Sequence, residues 1–190
     1  MKRIVVFASG SGTNAENIID FFQKKKTAIV THVLTNNKNA KVIDRANNLN
    51  TSHLIFSKAE LNQTDKIFEF LKKNVDYIVL AGFLLKIPEN IIKEFSGRII
   101  NIHPALLPKF GGKGMYGMHI HKTVIQNKEK KSGITIHFVN ENYDEGAIIF
   151  QKSFDIDENE NEFDVAKKIA VLEMTNFPKI IEEVILNKKN

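Results

Sequence analysis

Residues 3–8 form an unbroken run of apolar and β-branched side chains after Arg3, and six residues further on, past Ser9-Gly10-Ser11-Gly12-Thr13-Asn14, the chain takes up the helical spacing of Ile18, Ile19 and Phe22. An apolar run with no polar alternation is a strand buried on both faces, and a strand that passes to a helix through a short glycine loop begins a parallel crossover. The same alternation continues. Strands are predicted over residues 28–35, 53–56, 77–81 and 99–103, with helices over 40–48, 64–73 and 89–95 between them. Pro88 suits the start of the third of these helices, because a first-turn proline lacks only an amide that would go unpaired anyway. Further on, residues 119–127 read as a helix, 132–139 and 148–154 as two more strands, and Phe163, Ile169, Leu172, Phe177, Ile181 and Ile185 as one face of a last helix with Pro178 as a kink point. The expected fold is α/β: a Rossmann-like three-layer sandwich, its central sheet mostly parallel and of about seven strands, with helices on both faces.

Length fits this scheme. At 190 residues and 43% hydrophobic composition the chain can bury one core without covalent staples, and a single domain over 1–190 is expected. The absence of cysteine removes disulfides, thiolate metal ligands and thiol nucleophiles, and suits a reducing cytosol, so a cytoplasmic protein is expected. No apolar run approaches the roughly 20 residues of a membrane span, and none is long enough for a secretory signal, so a membrane partner is not expected. A net charge of +5 would suit anions, but the lysines are scattered and not interleaved with aromatics, so nucleic acid is not expected either.

Chemistry concentrates at Ile99-Ile100-Asn101-Ile102-His103-Pro104. A period of two turns Asn101 and His103 to the same side of a sheet, and Pro104 ends the strand directly after them. An amide that can donate to a developing oxyanion thus sits beside an imidazole that can move a proton near neutral pH. Hydrogen-bonded structural roles would produce the same pair. The loop at Gly10–Asn14 can bring backbone amides to an anion at a helix start, with Thr13 and Asn14 able to cap that helix; a turn needing positive φ would also select its glycines. It lacks the Gly-Lys-Ser/Thr ending of a triphosphate loop and the third glycine of a dinucleotide motif. The apolar loop from Gly82 to Pro88 could line a pocket or simply pack on the core. Four glycines between Lys109 and Met118 predict a mobile loop beside the strand end, a lid or a surface insertion. His119 and His121 lack a third ligand at metal spacing, so no metal is expected. Asp144 and Glu145, by their own context, are ordinary turn residues.

Taken together, Gly10-Ser11-Gly12-Thr13-Asn14, Leu80-Ala81-Gly82-Phe83, Asn101-Ile102-His103-Pro104-Ala105-Leu106-Leu107-Pro108, and His137-Phe138-Val139 with Asp144-Glu145-Gly146 resemble the phosphoribosylglycinamide formyltransferase family, folate-dependent enzymes of purine synthesis, along nearly the whole chain. The resemblance implies that Asn101, His103 and Asp144 are the catalytic Asn, His and Asp. It implies a ribonucleotide site at Gly12, Thr13, Asn14 and Glu173, and a folate site at Leu84, Leu85, Lys86, Ile87 and Asn101. Residues 1–100 would then mainly hold the ribonucleotide phosphate, and 101–190 mainly the catalytic groups and folate. It further implies 10-formyltetrahydrofolate as formyl donor, glycinamide ribonucleotide as acceptor, and a monomer or weak homodimer. Formyltetrahydrofolate hydrolase and methionyl-tRNA formyltransferase resemble the same core but usually carry a further domain, for which 190 residues leave no room. In the mechanism expected on this basis, Asp144 raises the pKa of His103 and keeps a charged donor available.

Overall fold

Successive strand residues separate into two cores, as a period of two requires. In the computed structural model, which describes residues 1–187, Ile4 and Val6 of β1 (Lys2–Phe7) enter one apolar cluster and Val5 and Phe7 the other. The first cluster is covered by α1 (Thr13–Lys25) and the long α7 (Glu162–Asn187). The second is covered by α4 (Lys66–Asn74) and α5 (Glu89–Glu94). Three layers result. Phe7, Phe22, Phe95 and Phe177 are among the largest fully buried side chains, each contributing about 1.5–3 kcal/mol through removal from water.

Between these layers lie seven strands in the order β3-β2-β1-β4-β5-β6-β7. The remaining strands are β2 (Ala28–Thr35), β3 (Ser52–Ile55), β4 (Tyr77–Leu80), β5 (Ile99–His103), β6 (Lys131–Phe138) and β7 (Ile148–Asp155). β1 to β5 pair parallel, while β6 and β7 pair antiparallel at one edge. The expected mostly parallel sheet is therefore found, with strand boundaries within one residue of the sequence reading. Chain order leaves β1 toward β2 on one side and resumes with β4 on the other, so the crossovers diverge between β1 and β4. Loops leaving the carboxyl ends of strands at such a point open a crevice. Here those loops are Gly10–Gly12 after β1 and Gly82–Ile87 after β4.

One helix escaped the sequence reading. α3 (Lys58–Asn62) is a single turn held by a capping box in which Glu60 N–H donates to Ser57 Oγ and Ser57 N–H to Glu60 Oε2. The Ser-x-x-Glu spacing was its only local signal. α2 (Val42–Asn48) begins two residues later than expected, and α6 (Met118–Gln126) one residue earlier. Among the described residues no helix is long and apolar enough to cross a membrane.

Candidate active site

The crevice is a cavity of about 610 Å³. Its floor is the end of β5, where Asn101 and His103 share one face as their spacing predicted. Gly12, Thr13 and Asn14 form one wall, Leu84 another, and Glu173 reaches in from α7. Asp144 joins them from the turn between β6 and β7. Leu85, Lys86 and Ile87 line a smaller adjoining cavity that shares Asn101, Phe83, Tyr143 and Asp144 with the first. Both readings of the apolar loop hold, since Ile87 also packs into the second core while Leu84 stands 53% exposed toward the larger cavity.

The central geometry is compact. His103 Nδ1 lies 3.6 Å from Asp144 Oδ2, and His137 Nε2 lies 3.6 Å from Asp144 Oδ1. His103 Nε2 is 2.7 Å from the carbonyl oxygen of Phe110, which can only accept, so Nε2 carries a hydrogen. His137 Nδ1 is likewise 2.8 Å from its neighbour's carbonyl at Phe138. In that tautomer His137 Nε2 accepts, and Asn101 Nδ2 donates to it across 3.1 Å. The antiparallel register places Asn101 opposite His137, so the sheet itself sets this contact. His137 thus joins the site although the sequence reading gave it no role; its period-two position on β6 was the available signal.

Asp144 is held by its turn. Its φ is +57°, in the left-handed region that Asp tolerates better than most residues, and Gly112 N–H donates to its Oδ2 at 2.9 Å. Gly146 makes this turn possible, because a Cβ there would sit 1.7 Å from the Phe138 carbonyl oxygen. At the opposite wall Gly12 is equally constrained. It has φ +75°, and a Cβ would lie 2.4 Å from Val42 Cγ2. The expectation that Thr13 and Asn14 cap the helix is corrected here: Gly12 is the N-cap, without a side-chain cap, and Thr13 and Asn14 are already helical. Asn14 is thereby freed to donate through Nδ2 to Glu173 Oε2 at 2.8 Å.

Pro178 helps to set Glu173. A proline has no N–H for the carbonyl four residues back, which here is Met174. Asn17 Nδ2 of α1 fills that vacancy at 2.9 Å, tying α1 to α7 one residue from Glu173. Arg45 performs a similar service for the glycine loop, donating from Nε to the Ser11 carbonyl at 2.9 Å while pairing with Glu16. The glycine-rich loop, expected to be mobile, makes contacts at Phe110 and Gly112, and Met115 packs near Ala105, Ile120 and Val124.

The formyl transferase family profile matches residues 2–181. Over 193 aligned residues the phosphoribosylglycinamide formyltransferase of Bacillus subtilis is 35% identical, with 97% of this chain and 95% of that protein covered. This chain belongs to the phosphoribosylglycinamide formyltransferase family. Another member, the chloroplastic enzyme of Arabidopsis thaliana, is 38% identical over 88% of this chain, which spans 60% of that protein's length; the Vigna unguiculata relative is also spanned over 60%. The solved structure of phosphoribosylglycinamide formyltransferase from Bacillus halodurans superposes with a TM-score of 0.86 at 32% identity, covering 100% of this chain and 97% of that one. Glycinamide ribonucleotide transformylase 1 from Symbiobacterium toebii gives 0.89 at 29%, covering 99% and 89%.

Electrostatics in this formyltransferase-family site corrects one expectation. Burial pushes the His103 imidazole below its ordinary value, and the opposing pull of Asp144 does not overcome it. Burial thus biases His103 toward the neutral imidazole, against the expected standing imidazolium. Burial pushes the Asp144 carboxyl up, but donation from His137 Nε2 in the doubly protonated ring, the charge of a protonated His103 and the Gly112 amide together outweigh it, so Asp144 lies below the usual carboxylate range and stays ionised near neutral pH. Glu173 is raised by burial against the lowering donation from Asn14. Asn14 Oδ1 is buried without a partner among the described residues, an acceptor waiting for a donor.

Proposed function

We propose that this protein transfers the formyl group of 10-formyltetrahydrofolate to the amine of glycinamide ribonucleotide, N1-(5-phospho-D-ribosyl)glycinamide, giving the N-formyl product and tetrahydrofolate in purine synthesis. The observation that carries this reading is the convergence of Asn101, His103 and Asp144 in one cavity with the glycine loop at the start of α1. The amides in the first turn of α1 have no helical acceptors and suit the ribonucleotide phosphate. Glu173 and the unpartnered Asn14 Oδ1 suit hydroxyl or amine donors of the same substrate. Leu84, Leu85, Lys86 and Ile87 offer apolar contact for the flat folate ring, ending at Asn101.

Chemistry follows from the hydrogen count. An amide nitrogen carries two hydrogens; His137 engages one of Asn101's and fixes the plane, leaving the second for an oxyanion. The acceptor amine attacks the formyl carbon, the carbonyl electron pair moves to oxygen, and Asn101 donates to that oxygen. The attacking nitrogen, now positively charged, gives a proton to His103 Nδ1, and the imidazolium so formed is stabilised by ionised Asp144. His103 returns the proton to the folate nitrogen as its bond to carbon breaks. Asp144 keeps its charge throughout, and His137 is a positioning residue.

On this reading the chain acts in the cytoplasm, as a monomer or weak homodimer, on small molecules. An absorbance assay of tetrahydrofolate release tests the reading. Release is expected only when formyl donor and glycinamide ribonucleotide are both present; equal release from the donor alone would identify a hydrolase and overturn it.

A further inference from the structure

Among the described residues lining the larger cavity, Lys113 is the only Lys or Arg. That cavity also holds the carboxylates of Asp144 and Glu173, while the acceptor assigned to it carries a phosphate monoester with a charge of about −1.5 to −2 near pH 7. Backbone amides at a helix start supply only about half a unit of opposing charge. A full cation would balance more of that charge. Lys41, beside the glycine loop through Val42, does not line the cavity; Lys109 pairs with Glu129 at 3.0 Å, and Lys86 lies over the Tyr143 ring at 5.8 Å. Lys113 is exposed and makes no ion pair or hydrogen bond among the described residues.

Its placement is built. Lys113 and Gly114 are the central pair of a turn closed by Met115 N–H donating to the Gly112 carbonyl at 3.1 Å. The turn is fastened below by the Gly112 amide on Asp144 and beside it by Met115 packing near Ala105 and Ile120. One further group in this segment is unspent, since His121, 94% buried by its 6% exposure, lines the same cavity with Nδ1 lacking a partner among the described residues. Lys113 is therefore held over the cavity with its charge uncommitted.

We infer that Lys113, at the tip of the glycine-rich turn, is the cationic ligand of the acceptor's phosphate, opposite the amides of the Gly10–Asn14 loop. The inference rests on the ribonucleotide reading above. A folate tail carries carboxylates that a lysine could also meet, but the apolar Leu85–Ile87 cavity does not include Lys113, whereas the cavity that does includes the glycine loop. Because the turn is tied to Asp144, phosphate capture and the catalytic carboxylate share one support.

Steady-state kinetics of wild type, Lys113→Ala and Lys113→Arg, with each substrate varied in turn, test this. Loss of a charge-assisted contact predicts a KM for glycinamide ribonucleotide raised at least about tenfold in Lys113→Ala and largely restored in Lys113→Arg. The KM for 10-formyltetrahydrofolate should stay within about twofold, and glycinamide riboside, which lacks the phosphate, should be handled equally by wild type and Lys113→Ala. A ribonucleotide KM unchanged in Lys113→Ala would overturn the inference. So would a rise confined to the folate KM, which would assign Lys113 to the folate carboxylates, or an equal loss with the riboside, which would make its role structural. Wild type that turns over no ribonucleotide at all would instead overturn the functional reading on which the inference stands.

Discussion

Replacing Asp144 by Asn removes a negative charge 3.6 Å from His103 Nδ1 and 3.6 Å from His137 Nε2, yet leaves an oxygen to accept from the Gly112 amide. The side chain is only 13% exposed, so solvent screens the interaction little. At an effective dielectric of about 20, a unit pair near 4 Å is worth about 4 kcal/mol. Some of that returns because a neutral amide has no charge to desolvate, leaving a net loss of about 2–3 kcal/mol when His103 is protonated in the transition state. The fall in kcat is then about 30- to 150-fold. The pH profile gives a second check with a definite sign. In the proposed mechanism His103 acts as a neutral base, so activity should fall as pH drops through its pKa, which burial already holds below the ordinary value. Asp144 is the larger of the two influences raising that pKa, the Phe110 carbonyl being the other, and its removal should move the acid limb to still lower pH while lowering the plateau. Stopped-flow or steady-state measurement across the acid range, with circular dichroism to confirm folding, reads both quantities. A kcat within about threefold of wild type, or an acid limb displaced to higher pH, would refute the coupling of Asp144 to His103.

Gly12→Ala should destabilise the protein by about 1–3 kcal/mol, since it places a side chain in left-handed backbone and against Val42; an unchanged urea midpoint would contradict this. Asn17→Ala should cost about 1 kcal/mol in the native background but less beside Pro178→Ala, where residue 178 regains an N–H for the Met174 carbonyl. A double-mutant cycle in urea measures that coupling, and strict additivity would remove Pro178 as its cause. Thermal stability should decline as pH falls below about 6.5, the unfolded value of histidine. Burial holds His103, His121 and His32 below that value in the folded state, so the unfolded chain binds more protons; the stability is fully present above the unfolded value and is lost as pH falls toward the folded ones. A Tm flat across that range would show that these rings titrate normally.

Much of this could be read along the chain because the signals were local. Apolar runs and helical stripes fixed the strand and helix order, and the period of two put Asn101 and His103 on one face. The sheet edge was harder. β6 runs antiparallel to β5 and ends beside Ile100, and the turn after it carries Asp144 back to His103, so the Asp144–His103 distance depends on a long-range pairing that no turn sequence contains. His137 was missed for the same reason, its partner Asn101 being a register neighbour 36 residues away. The sign of the His103 shift was misjudged because sequence names the neighbouring charge but not the depth of burial, and burial is the larger effect. For the glycine-rich segment, composition predicts mobility but says nothing of its contacts. Its anchors, the Phe110 carbonyl and the Gly112 amide, are backbone groups and leave no trace in side-chain identity.

The proposed reaction is defined by the destination of one carbon. Carbon-13 NMR of a reaction begun with donor labelled in the formyl group follows that carbon directly. Formyl transfer predicts that the label appears in the formamide of the N-formyl ribonucleotide, one label for each tetrahydrofolate released, with none in formate. Label accumulating as formate, or remaining on the donor in the presence of the ribonucleotide, would rule out transfer to the ribonucleotide.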